Sequence, residues 1–145
     1  MKPLKWLWLS LMVVSVVGCR SNDCSVAYTL SLDLTTMGRC FRRFSYEECV
    51  EAPTLAAMLK VASSKGQIHD VSCERMAKDW TGKPYAFHRT VDTEAVVIEI
   101  ISVGHNGLFE AGNGDDIVLH VYVPRGGKAS VDMKRDGRVI TFTSD

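Results

Sequence analysis

Apolar positions first recur along the chain at helical spacing. Leu30, Leu34, Met37, Phe41 and Phe44 stand at i, i+4, i+7, i+11 and i+14, which predicts a helix from about Thr29 to Glu47. The start is ambiguous, because Tyr28, Leu30, Leu32 and Leu34 also alternate as in a strand. A second helix is expected to open at Pro53, bury Leu55, Met58, Leu59 and Ala62, and stop at Gly66. A third is expected to begin with Asp70 as N-cap and run through Cys73 and Met76 toward Trp80.

Beyond Gly82 the period changes from helix to strand. Pro84 to Arg89 is a short strand, and Ala95 to Val103 (AVVIEIISV) is β-branched on both faces, as a central strand should be. Gly104 to Asp116 is a polar, glycine-rich loop, followed by the strand Ile117 to Val123 and a break at Pro124 to Gly127. Asp136-Gly137 marks a two-residue hairpin turn that sets Met133 opposite Ile140 and Val131 opposite Phe142. Helices first and strands afterwards predict an α+β fold, with N-terminal helices packed on a C-terminal antiparallel sheet of about four to five strands.

The N-terminus stands apart from this pattern. Met1 to Lys5 is basic, and the apolar run from Trp6 to Val17 falls well short of the ~20 helical residues that span a bilayer. A basic region before a short apolar one reads as a secretory signal peptide. Val16-Val17-Gly18-Cys19 resembles the lipobox of bacterial lipoproteins. The resemblance implies cleavage before Cys19, lipidation of its thiol and, with Arg20 next, an outer-membrane lipoprotein facing the periplasm or the surface. The expected layout is therefore a signal peptide over 1–18, the lipidated cysteine and a short tether over 19–27, and one domain over 28–145. Lys2 and Lys5 leave with the leader, so 15 basic residues face 17 acidic ones, and nothing in that balance invites nucleic acid or anionic lipid as a partner.

Four cysteines then remain: Cys24, Cys40, Cys49 and Cys73. An even number in an exported small domain reads as disulfides, and no C-x-x-C pair offers a zinc site. In one straight helix Cys40 and Cys49 would lie ~13 Å apart, beyond the ~7 Å Cα separation a bridge tolerates. Either the helix breaks, at Gly38 or beyond Phe44, or Cys24 stays outside the framework. A single core bridge from Cys40 or Cys49 to Cys73 is the favoured arrangement.

From Thr35 to Ile117 the chain resembles the periplasmic domain of type II secretion major pseudopilins. That family shows D-P-W-G-x-P-Y, later S-x-G-x-D-G, a glycine stretch and D-D-I. Here Asp79, Gly82, Pro84 and Tyr85 match, with Trp80 displaced by one place and Thr81 in its usual position. Ser102 to Gly107 matches the second motif with Asn106 for aspartate, and Asp115-Asp116-Ile117 matches the third. The resemblance implies a calcium ion in the loop. Asn106, Asn113, Asp115 and Asp116 are the expected metal residues, with Glu110 as a spare ligand, since calcium takes 6–8 oxygens. The loop lacks EF-hand spacing. Unlike a pilin, this chain carries its apolar run before Cys19, where cleavage removes it, so polymerisation is not expected.

Catalysis is not expected either. No nucleophile motif of the G-x-S-x-G type occurs, and of His69, His88, His105 and His120 only His105, with Asp115 and Asp116, makes a constellation worth naming. The function expected is a lipid-anchored envelope protein with a structural or interaction role, its partners being the membrane and envelope or secretion-system proteins. The alternative is a small-ligand or polysaccharide-binding lipoprotein that uses the 104–116 loop. A metal-assisted hydrolase requires His105 and the aspartates to converge on a transition metal.

Overall fold

A computed structural model describes residues 32–104 and 106–143. Cys19, Cys24, Leu30 and His105, with the leader and tether, lie outside the described residues.

The helices come first: α1 over residues 32–41, α2 (Tyr46–Glu51), α3 (Leu55–Ser64) and α4 (Asp70–Met76). Five strands follow: β1 (Ala86–Val91), β2 (Ala95–Ser102), β3 (Ile117–Pro124), β4 (Ser130–Arg135) and β5 (Arg138–Thr141). They form one antiparallel meander in the order β1-β2-β3-β4-β5. The expected α+β arrangement is therefore what the chain adopts. Among the described residues no helix is long and apolar enough to cross a membrane.

One apolar core joins the two layers. Leu34, Met37, Phe41, Met58 and Leu59 from the helices meet Val96, Ile98, Ile100, Leu119, Val121 and Val131 from the sheet, all fully buried. Strand alternation assigns the faces: residues between these, such as Glu99 and His120, point to the opposite side of the sheet. Arg89 faces the helices and donates to the Cys49 and Val50 carbonyls near the end of α2. Those carbonyls belong to the set that a helix leaves unpaired at its C-terminus.

The single helix expected over 29–47 is two helices. α1 ends at 41, the chain turns through Arg42 and Arg43, and α2 restarts at Tyr46. The cause is local: Ser45 and Glu48 form a capping box, each side chain bonding the other's backbone N–H. Both Phe41 and Phe44 nevertheless stay buried, their rings 5.2 Å apart and edge to face.

Smaller boundary shifts have similar reasons. α3 begins two residues after Pro53 because the Thr54 hydroxyl caps it by accepting from the Ala57 N–H. Its stop at Gly66 holds, with φ +69° and the Gln67 N–H donating back to the Ala62 carbonyl. Asp70 is the first helical residue of α4, with His69 in the cap position, and that helix ends at Met76, short of Trp80. The first strand runs Ala86–Val91, not 84–89, because Pro84 forms an isolated bridge with Lys78. The β4–β5 hairpin turns through Asp136 (φ 50°) and Gly137 (φ 71°), and Met133 pairs with Ile140 as expected. Phe142 donates its N–H to Val131 and packs against Gly38.

The bridge expected from Cys40 or Cys49 to Cys73 is not formed; all three are free thiols. Cys40 and Cys49 sit in the core, whereas Cys73 lies half-buried on α4 with its thiol directed at the Leu59 and His69 carbonyls. Burial, with Glu48 adding its charge, pushes the Cys49 thiol up to about 11. It stays protonated near neutrality and is a poor nucleophile.

Candidate metal centre

The connection between β2 and β3 carries the densest polar network of the described residues. Its two feet are fixed, since Ser102 pairs with Ile117 across the ladder. Between them no helix or strand forms among the described residues. Carboxylates hold the chain together with backbone turn bonds, such as those from the Gly107 N–H to the Gly104 carbonyl and from the Asn113 N–H to the Glu110 carbonyl. Asp116 is only 2% exposed, and its Oδ1 accepts the Gly104 N–H at 3.3 Å. Its Oδ2 accepts the N–H groups of Glu110 at 2.8 Å and Gly112 at 3.1 Å. One buried anion thus ties the start of the loop to the turn at 110–112.

Glu110 and Asp115 complete the cluster. Glu110 Oε2 accepts the Asp115 N–H and the Asn106 side-chain N–H, each at 3.2 Å. Asp115 Oδ2 accepts the Asn106 backbone N–H at 3.0 Å. Ligand-capable oxygens of Glu110, Asp115 and Asp116 all lie within 4.8 Å of one another, close enough to hold one metal ion. Of the four expected metal residues, the loop therefore brings Asp115 and Asp116 together and adds Glu110. Asn106 borders the trio, but its Oδ1 accepts the Leu108 N–H at 2.7 Å. Asn113 is exposed and donates to the Glu110 backbone carbonyl at 3.2 Å.

Glycine makes this packing possible at two points. A Cβ on Gly104 would lie 2.2 Å from both Cγ and the carbonyl oxygen of Asp115. One on Gly114 would lie 2.0 Å from Glu110 Oε2. Neither contact can be tolerated, so the carboxylates occupy space that any other residue would fill. Ala111 adopts φ 55° without being glycine, a conformation that costs of order 1–3 kcal/mol.

The Asp79–Tyr85 segment abuts the same loop. Asp79 Oδ1 accepts the Thr81 N–H, the Thr81 hydroxyl and the Lys83 N–H, closing the turn on itself. From that turn Trp80 donates its indole N–H to the Val103 carbonyl at 3.2 Å, and its ring lies over Gly107. Two motifs separated in sequence are thus in direct contact. Trp80 is 39% exposed, and Leu108 and Phe109 beside it are 64% and 54% exposed.

The donor set is all oxygen. Carboxylates and backbone carbonyls suit a hard divalent cation such as calcium or magnesium better than a soft one. Comparison with protein-family models, with curated proteins and with solved structures returns no match.

Proposed function

We propose that this chain is a lipid-anchored protein of the bacterial envelope whose pseudopilin-like head is stabilised by calcium, and that it is a structural or interaction module, not an enzyme. The observation that carries this reading is the convergence of Glu110, Asp115 and Asp116 within 4.8 Å inside a loop cut to fit them by Gly104 and Gly114. Three carboxylates so close repel one another, and a divalent cation relieves that repulsion. The ion would be held by those three residues, with loop carbonyls filling its remaining sites. The order of helices and sheet, and the contact between the Trp80 turn and the loop, support the pseudopilin-like reading. Its anchor rests on the lipobox-like segment ending at Cys19. Envelope or secretion-system proteins are the proposed partners.

Two measurements test it. At a hundredfold excess over Kd, a ligand bound only by the folded state adds ~2.7 kcal/mol. Calcium should therefore raise the melting temperature by roughly 10 °C over chelator, while Asp116→Asn loses the response. An unchanged melt removes the ion from the proposal. In cells, radiolabelled palmitate should enter the wild-type chain and not Cys19→Ala; equal labelling of both removes the anchor.

One observation favours a second reading, a small-ligand or polysaccharide-binding lipoprotein. The exposed Phe109 lines a cleft of about 280 Å³ together with Thr81, Lys83 and Gly107. Aromatic faces next to hydrogen-bonding groups suit sugars. Calcium-independent binding of envelope polysaccharide, lost in Phe109→Ala, would favour this reading over the first.

A further inference from the structure

The outer face of the sheet carries a histidine between two carboxylates, none of them among the loop carboxylates. The ladder sets His120 on β3 directly opposite Glu99 on β2 and Asp132 on β4. Neighbouring strands are ~4.8 Å apart, so the three side chains form one row across the sheet. Their sequence neighbours Ile98, Ile100, Leu119, Val121, Val131 and Met133 are buried on the helix side, which fixes all three on the other face. All are half-buried, and all line one cleft of about 480 Å³ between the sheet and residues 111–113. Among the described residues, none of the three side chains makes a hydrogen bond or an ion pair. Lys134 is the other charged group of this cleft, and its Nζ reaches the Gly112 carbonyl at 3.5 Å.

We propose that Glu99, His120 and Asp132 bind a divalent transition-metal ion of the zinc type, seated over the imidazole of His120 between the two carboxylates. An imidazole nitrogen with two carboxylate oxygens is a donor set for zinc or cobalt, and not one that selects calcium. Unlike the loop trio, these ligand atoms are not gathered in this structure, so binding requires all three side chains to rotate toward one another over strands whose register sets the spacing. The fourth position would open to water in the cleft. His88 lies one strand further out, opposite Glu99, and is not a ligand of this ion. The site shares no ligand with the loop trio, although residues 111–113 of that loop wall the cleft.

The test is a cobalt(II) titration of the full chain in mild detergent, with calcium present in excess to fill hard-oxygen sites. One equivalent should give the intense visible bands of a four-coordinate, nitrogen-containing site. His120→Ala should abolish them, Glu99→Gln and Asp132→Asn should weaken them, and His88→Ala and His105→Ala should leave them. In the unaltered protein, zinc should shift the His120 imidazole resonances and leave those of His69 in place. Absent bands, bands that survive His120→Ala, or bands that vanish with His105→Ala would each overturn the site. So would zinc leaving the His120 resonances unmoved, and the row would then be a set of solvated cross-strand charge pairs.

Discussion

Two connections in this sheet perform the same task by opposite means. Between β4 and β5 the chain reverses through Asp136 and Gly137 alone, whose positive φ angles match the twist of the strands they join. Between β2 and β3 it wanders from Val103 to Asp116 before rejoining the ladder. The first is held by backbone conformation and survives on local sequence. The second is held by a buried carboxylate, and its shape depends on side chains that meet only after folding.

The contrast is sharpest at Asp116. Asp116→Ala leaves three backbone N–H groups without their acceptor, and hydrogen bonds to charged groups are worth ~1.5–3 kcal/mol each. A loss of about 3 kcal/mol or more in urea unfolding is expected; a loss below ~1 kcal/mol would show that the anion does not organise the loop. Gly104→Ala drives a methyl group into Asp115 and should cost about 1–3 kcal/mol, together with the calcium response. Gly137→Ala meets open space and should cost only its left-handed strain of about 1–2 kcal/mol, with the calcium response intact. If both glycine variants behaved alike, the distinction between the two connections would collapse.

Ala111→Gly should act the other way, gaining up to about 1 kcal/mol by relieving the same kind of strain. The smallest effect lies away from both connections. Burial raises the Asp33 carboxyl above its ordinary value of 3.8, although Arg75 at 2.9 Å draws it partly back down. The folded state thus holds that proton more tightly than the unfolded chain. Its contribution to stability is full below 3.8 and is lost as pH rises through the raised value. Asp33→Asn should flatten that decline in a pH series of urea midpoints; a steeper decline in the variant would reverse the assignment.

What the sequence made legible follows the same division. β2 and β3 announce themselves by β-branched runs, and the hairpin by Asp136-Gly137, because those signals are local. The break between α1 and α2 hides from periodicity, since Phe41 and Phe44 keep helical spacing while both remain buried. Its marker was the Ser45–Glu48 box. In the loop, Asp115 and Asp116 were visible as an adjacent pair before a strand. Glu110 joins them as a full member only because the chain curls back through Ala111, Gly112 and Gly114. The row of Glu99, His120 and Asp132 was beyond reach, since it exists only through the register of three strands.

The meander itself has a kinetic consequence. Every strand pairs with its immediate predecessor, so no pairing must wait for a distant partner to arrive. The entropy of closing a loop grows only slowly with its length, and topologies rich in near contacts assemble quickly. Zipping from the tight hairpin inward therefore leaves the carboxylate-bound crossing as the slowest seam to close, and an added cation should quicken that step first.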